Sequence, residues 1–84
     1  MTIVDPTVDE LVRIWRTVLR DDSLHADSDL IECGGTSLSA VRVMAHVRES
    51  IGRDVDVESI LENPTPAALA PVVTDAPMWT DDDL

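Results

Sequence analysis

Lysine, phenylalanine and tyrosine are missing from this chain, and each absence narrows what the protein can be. Without Phe or Tyr, only Trp15 and Trp79 are aromatic, so a core has to be assembled from Val, Leu, Ile, Ala and Met. Without Lys, the basic side chains are 6 arginines against 17 acidic residues, a formal net charge of −11. So acidic a chain is repelled by nucleic-acid phosphates and anionic membranes, and suits partners that carry basic docking patches. The single cysteine, Cys33, excludes an internal disulfide, and no Cys/His set has zinc-ligand spacing. There is no secretory signal pattern, and no apolar run approaches the ~20 residues needed to span a bilayer. These absences predict a soluble, cytoplasmic chain.

What is present is enough for one small folded domain. The 84 residues leave no room for a second core or a deep catalytic cleft, while 44% apolar content argues against wholesale disorder. Four helical stretches account for most of the chain. From Thr7 to Leu19, the apolar residues Val8, Leu11, Val12, Ile14, Trp15, Val18 and Leu19 fall within roughly 160° of a helical wheel. Thr7 and Glu10 have capping-box spacing at its start. Residues 21–36 form a long acidic connection with Leu24, Leu30, Ile31 and Cys33 as apolar anchors. A second helix runs from Thr36 or Ser37 to Ile51, stopped by Gly52. Its expected buried face is Ala40, Val41, Met44, Val47 and Ile51, with Arg48 snorkelling from inside that arc and Leu38 turned partly outward. Asp56 caps a short helix ending at Asn63-Pro64, and Thr65-Pro66 starts a last one. Pro71 should end or kink that helix near Ala70, or let it continue distorted to about Val73. Residues 74–84, with their three consecutive aspartates, read as a mobile tail.

Catalytic readings find little support. His25 lies in the acidic loop and His46 on the polar face of the second helix, where an ordinary surface histidine is the simplest account. Metal binding by His25, Cys33 and His46 would require coincidence of position. The stretch that stands out is Gly34-Gly35-Thr36-Ser37-Leu38. Two glycines permit close approach by another backbone, and a serine at a helix start lies where free N–H groups and the dipole favour an anion. These five residues alone leave two readings open. Ser37 or Thr36 caps the helix, or Ser37 is modified.

The wider chain resembles the acyl and peptidyl carrier protein family over about residues 7–73. The matching elements occur in order: Ile14-Trp15-Arg16-Thr17-Val18-Leu19, then Asp29-Leu30-Ile31-Glu32-Cys33-Gly34-Gly35-Thr36-Ser37-Leu38, then Asn63-Pro64-Thr65-Pro66-Ala67-Ala68-Leu69-Ala70. The resemblance implies an all-α fold, a small four-helix bundle of acyl-carrier type with three longer helices and one short one. It implies a carrier domain at 7–73, preceded by an extension at 1–6. It also implies that Ser37 receives 4′-phosphopantetheine from coenzyme A through a phosphopantetheinyl transferase, with Gly34, Gly35, Thr36 and Leu38 as flanks. The arm's thiol would hold an aminoacyl or peptidyl group as a thioester. The chain would not be an enzyme but a monomeric tether used by adenylation, condensation, tailoring or thioesterase enzymes.

Thr36 stands where fatty-acid-type carriers usually have Asp, and the second helix carries Arg42, Arg48 and only Glu49 as acid. That favours a peptidyl carrier of nonribosomal peptide synthesis over a polyketide acyl carrier. Leu38, Arg42, Val43, Ile60 and Leu61 are the expected partner contacts. Cys33 replaces the usual leucine and is expected to pack as a small hydrophobe. Met1 points to a free-standing carrier. The rival from another class is a helical interaction module that kept the fold without the prosthetic group, against which the intact Gly34-Gly35 and Ser37 argue.

Overall fold

The computed structural model describes residues 5–80. Four helices follow one another: α1 (Pro6–Leu19), α2 (Ser37–Ser50), α3 (Val57–Glu62) and α4 (Pro66–Asp75). α1 packs on α2 and α4, α2 also holds α3, and α3 touches α4 least. Among the described residues no strand forms. Among these residues one antiparallel bridge pairs Arg53 with Met78.

α1 begins two residues earlier than the capping-box spacing predicts. Pro6 occupies the first helical position, where a missing N–H costs nothing, and Asp5 becomes the cap. Its carboxylate accepts the Thr7 and Val8 N–H groups at 2.9 and 3.4 Å. Thr7 is therefore already inside the first turn, and Glu10 pairs with Arg13 instead. The apolar stripe lands as its spacing demands, with Leu11, Ile14 and Trp15 buried and Val8, Val18 and Leu19 packed at the margin. Arg20 closes the helix in the left-handed region at φ 54°, a conformation costing about 1 kcal/mol for a residue with a Cβ.

The Pro64 carbonyl joins three parts of the fold. It accepts the indole N–H of fully buried Trp15 at 3.2 Å and the Leu30 N–H at 2.8 Å. The first helix, the long loop and the entry to α4 thus meet at one oxygen. The loop is pinned further by Arg16 Nε, which donates to the Leu24 carbonyl, and by the Ala67 N–H, which donates to Ala26. Ala67 lies in the first turn of α4, so the loop satisfies a donor the helix cannot. Only Leu24 and Leu30 enter the core. Ile31 and Cys33, expected as anchors, are exposed. Asp29 explains their position. Its carboxylate accepts the Ile31 and Glu32 N–H groups and its carbonyl accepts that of Cys33, a tight turn that swings the intervening side chains outward.

α2 is rotated relative to its predicted face. Ala40, Val43 and Val47 are buried, Met44 and Ile51 are partial, and Val41 is exposed. The helix is apolar on several sides, so its neighbours choose the buried side. α1 and α3 close over the Ala40–Val43–Val47 row. Two expected partner contacts, Val43 and Ile60, are consequently core residues with no exposed surface.

α3 starts where expected, with the Asp56 carboxylate accepting the Ser59 N–H at 2.8 Å. The Ser59 backbone and side-chain hydrogen bonds hold the Asp56 carboxyl below its usual value. A lowered folded-state pKa means this cap stabilises fully above the ordinary carboxylate range and is lost as pH falls through the lowered value. α4 is capped by Thr65 and runs through Pro71 to Asp75, past the predicted limit. Pro71 and Ala67 both lie on the exposed side, so water can satisfy the carbonyl that Pro71 leaves without a donor.

Residues 74–79 depart from the expected loose tail. Thr74 and Asp75 finish α4, and the chain then crosses the α2–α3 connection. There the Asp54 N–H donates to Pro77, the Trp79 N–H to Gly52, and Arg53 Nη1 to the Ala76 carbonyl. Arg48 does snorkel outward, pairing with Asp54 at 3.0 Å and lying 4.1 Å from the Trp79 ring centroid. The expected extension at 1–6 also shrinks, since Asp5 and Pro6 open α1. Residues 1–4 and 81–84, including the three aspartates, lie outside the described residues.

Candidate functional site

The loop and α2 together set the conspicuous glycine–hydroxyl segment. Gly34 takes φ +100°, which disfavours any residue with a side chain. Gly35 donates to the Leu30 carbonyl at 2.8 Å, and a Cβ there would collide with that same oxygen. One glycine turns the chain and the other lets it press against the anchored loop, delivering residue 36 to the helix start.

Thr36, not Ser37, is the N-cap. Its hydroxyl accepts the Ser39 N–H at 3.4 Å, and Ser39 Oγ accepts the Thr36 N–H at 3.0 Å, a reciprocal capping box with serine in place of the usual Glu or Gln. Ser37 is left at the first helical position, exposed, its hydroxyl without a hydrogen-bond partner among the described residues. The cap and the free serine are thus two residues, where the sequence left them interchangeable. The Thr36 carbonyl takes the Ala40 N–H, so the Ser37 and Leu38 amides are the first-turn donors left open. A phosphodiester on Ser37 fits here, because open amides and the positive helix end favour an anion. Among the described residues no histidine or carboxylate bonds to the Ser37 hydroxyl, so none of them activates it as a nucleophile.

Beside Ser37 on α2, Leu38 (59% accessible) and Val41 (41%) are exposed apolar side chains; Ile31 (45%) on the loop and Leu61 (38%) on α3 are exposed as well. Leu38, Val41 and Arg42 share one side of α2 through three- and four-residue spacing. Arg42 has no ion-pair partner among the described residues. Val41, assigned to the core from the wheel, is the surface residue that sequence reasoning missed. Its position one turn beyond Ser37 was the available signal. Ile31 was missed in the same way. Among the described residues no three metal-ligating side chains converge, and His25 is exposed with Nδ1 accepting the Asp27 N–H. An open cavity of ≈ 450 Å³ is lined by residues of Asp54–Ser59 and Val72–Pro77, and by none of Ser37, Leu38, Val41 or Arg42.

Comparisons with known proteins agree with this geometry. The phosphopantetheine attachment site family matches residues 9–73. Vanchrobactin synthetase VabF of Vibrio anguillarum is 35% identical over 75 residues, covering 89% of this chain but 3% of that protein. Tyrocidine synthase 3 of Brevibacillus parabrevis is 36% identical over 67 residues, covering 80% of this chain and 1% of its own length. The chain therefore spans a few per cent at most of these two relatives. Among solved structures, a nonribosomal PCP domain superposes with TM-score 0.75 at 25% identity, covering 94% of this chain and 97% of that one. BlmI, a type-II acyl-carrier-protein from Streptomyces verticillus, gives TM-score 0.75 at 25% identity, with 81% and 82% covered. The bundle, the glycine turn and the matched residues place the chain in the phosphopantetheine-attachment family, the non-catalytic carriers whose cofactor is covalent 4′-phosphopantetheine.

Proposed function

We propose that this chain is a peptidyl carrier for nonribosomal peptide or related secondary-metabolite synthesis, with Ser37 as the attachment residue. The observation that carries the reading is the unpartnered Ser37 hydroxyl, freed by the Thr36–Ser39 capping pair. When bound, the prosthetic group supplies a flexible arm whose thiol holds an aminoacyl or peptidyl group as a thioester. The chain's own residues present the attachment point. Gly34 and Gly35 set the turn, Thr36 fixes the helix start, and the open Ser37 and Leu38 amides favour the phosphodiester charge. With no base bonded to Ser37 among the described residues, modification relies on a separate phosphopantetheinyl transferase.

The exposed side chains of Leu38, Val41, Arg42 and Leu61 form the partner surface for adenylation, condensation, tailoring or thioesterase enzymes. The first turn of α2 has no acid, which favours the peptidyl over the polyketide type. A monomer suits the net charge of −11, through self-repulsion, and an exposed free Cys33 suits a reducing cytoplasm. Incubation with coenzyme A and a broad-specificity transferase, followed by intact mass, tests the reading. One phosphopantetheinyl adduct is expected, absent from Ser37→Ala. No adduct beside a competent control carrier would overturn the function, and an adduct on Ser37→Ala would move the site.

A further inference from the structure

The segment after α4 makes more specific contacts than a passive end requires, and all of them converge on one connection. Gly52, Arg53 and Asp54 link α2 to α3, and each is engaged by residues 76–79. The Gly52 carbonyl accepts the Trp79 N–H at 2.9 Å, Arg53 bridges to Met78, and the Asp54 N–H donates to Pro77 at 2.9 Å. Arg53 Nη1 adds a bond to the Ala76 carbonyl at 2.9 Å. Arg48, in the last turn of α2, fastens this crossing from above. Its guanidinium bonds the Asp54 carboxylate through Nε and Nη2 and lies over the Trp79 ring.

The connection matters because it leads directly into α3. Val55 is buried, Asp56 caps α3, and α3 has only six residues and slight contact with α4. A helix that short is not stable by its own hydrogen bonds and depends on what holds its ends. α3 carries Leu61, while α2 carries Leu38, Val41 and Arg42. The relative position of the two helices therefore decides whether these side chains present one surface.

We infer that residues 76–79 are a strap that locks the α2–α3 connection and so positions α3 for partner recognition, with Arg48 and Trp79 as the clasp. The strap stands on its own contacts; its consequence for partners rests on the carrier reading above. Arg48 and Trp79 are positioning residues, since neither lies on the Ser37 surface.

The experiment uses the whole chain with Trp79→Ala, Arg48→Met and Trp79→Phe, followed by amide hydrogen exchange and by loading kinetics with a partner adenylation enzyme on the phosphopantetheinylated protein. In Trp79→Ala and Arg48→Met, exchange at Asp54 and at the α3 amides Ile60 and Asn63 should quicken about tenfold or more. The α1 amides around Trp15 should stay protected. The KM for the carrier should rise several-fold at nearly unchanged kcat, and Trp79→Phe, which keeps an aromatic face for Arg48, should restore both. Unchanged exchange through 52–63 would overturn the strap whatever the loading assay shows. Equal acceleration in α1 would overturn it in favour of global destabilisation, and faster α3 exchange with unaltered KM would overturn the role in recognition. Leu38→Ala separates the two readings, because it should impair loading with exchange at Asp54 unchanged. If Leu38→Ala loads normally while the strap variants still loosen α3, the partner surface fails and the strap survives.

Discussion

α1 and α2 have equal length and similar apolar content, yet one could be oriented from its sequence and the other could not. In α1 the polar residues Asp9, Arg13, Arg16 and Thr17 exclude every rotation but one. Leu11, Ile14 and Trp15 are buried as the wheel requires. α2 distributes Leu38, Ala40, Val41, Val43, Met44, Ala45 and Val47 around much of its circumference. Several rotations bury comparable apolar area, so the surrounding elements select one. Such ambiguity leaves apolar side chains outside, and these are the ones proposed above as the docking face. α1 is thus specified by its pattern and α2 by its setting.

The largest expected effect breaks the well-specified side of this comparison. Trp15→Ala removes a fully buried aromatic and leaves the Pro64 carbonyl with only its Leu30 partner, so it should cost about 3–5 kcal/mol in denaturant unfolding. For a domain this small that is enough to unfold much of the population. Next comes a pair within α2 that reverses the wheel's assignment. Val43→Ala should cost about 2 kcal/mol, whereas Val41→Ala should change stability by no more than about 0.5 kcal/mol and act on partner turnover instead. Equal destabilisation by both would mean that α2 is not rotated as described. The smallest effect sharpens the boundary between cap and tether. Thr36→Ala should cost about 1 kcal/mol and leave phosphopantetheinylation possible, while Ser37→Ala should abolish modification with stability nearly unchanged. Thermal unfolding and intact mass on the same preparations read both quantities.

The positions where expectation and structure part share a cause. Ile31 and Cys33 looked like loop anchors because they are apolar, but the Asp29 turn, a local arrangement of side chain and backbone, swung them out. Ile60 looked available on a short helix, but a short helix must bury its central apolar residue to be held at all. Pro71 looked like a stop and is tolerated because its missing bond falls on the wet side of α4. Trp79 and the residues before it looked like a free end because nothing nearby in sequence binds them. Their partners Arg48, Gly52, Arg53 and Asp54 lie 23 or more positions upstream.

By itself the sequence determined the number of helices, the Asp56 and Thr65 caps, the buried face of α1 and the segment that holds Ser37. These follow from local hydrogen-bonding chemistry and from periodicity, which act over a few residues. Only the tertiary structure decided the rotation of α2, the separation of Thr36 the cap from Ser37 the exposed hydroxyl, and the return of residues 76–79 onto the α2–α3 connection. Each of these depends on contacts between elements distant in the chain or on competition among near-equal local choices, and packing of the whole is what breaks such ties.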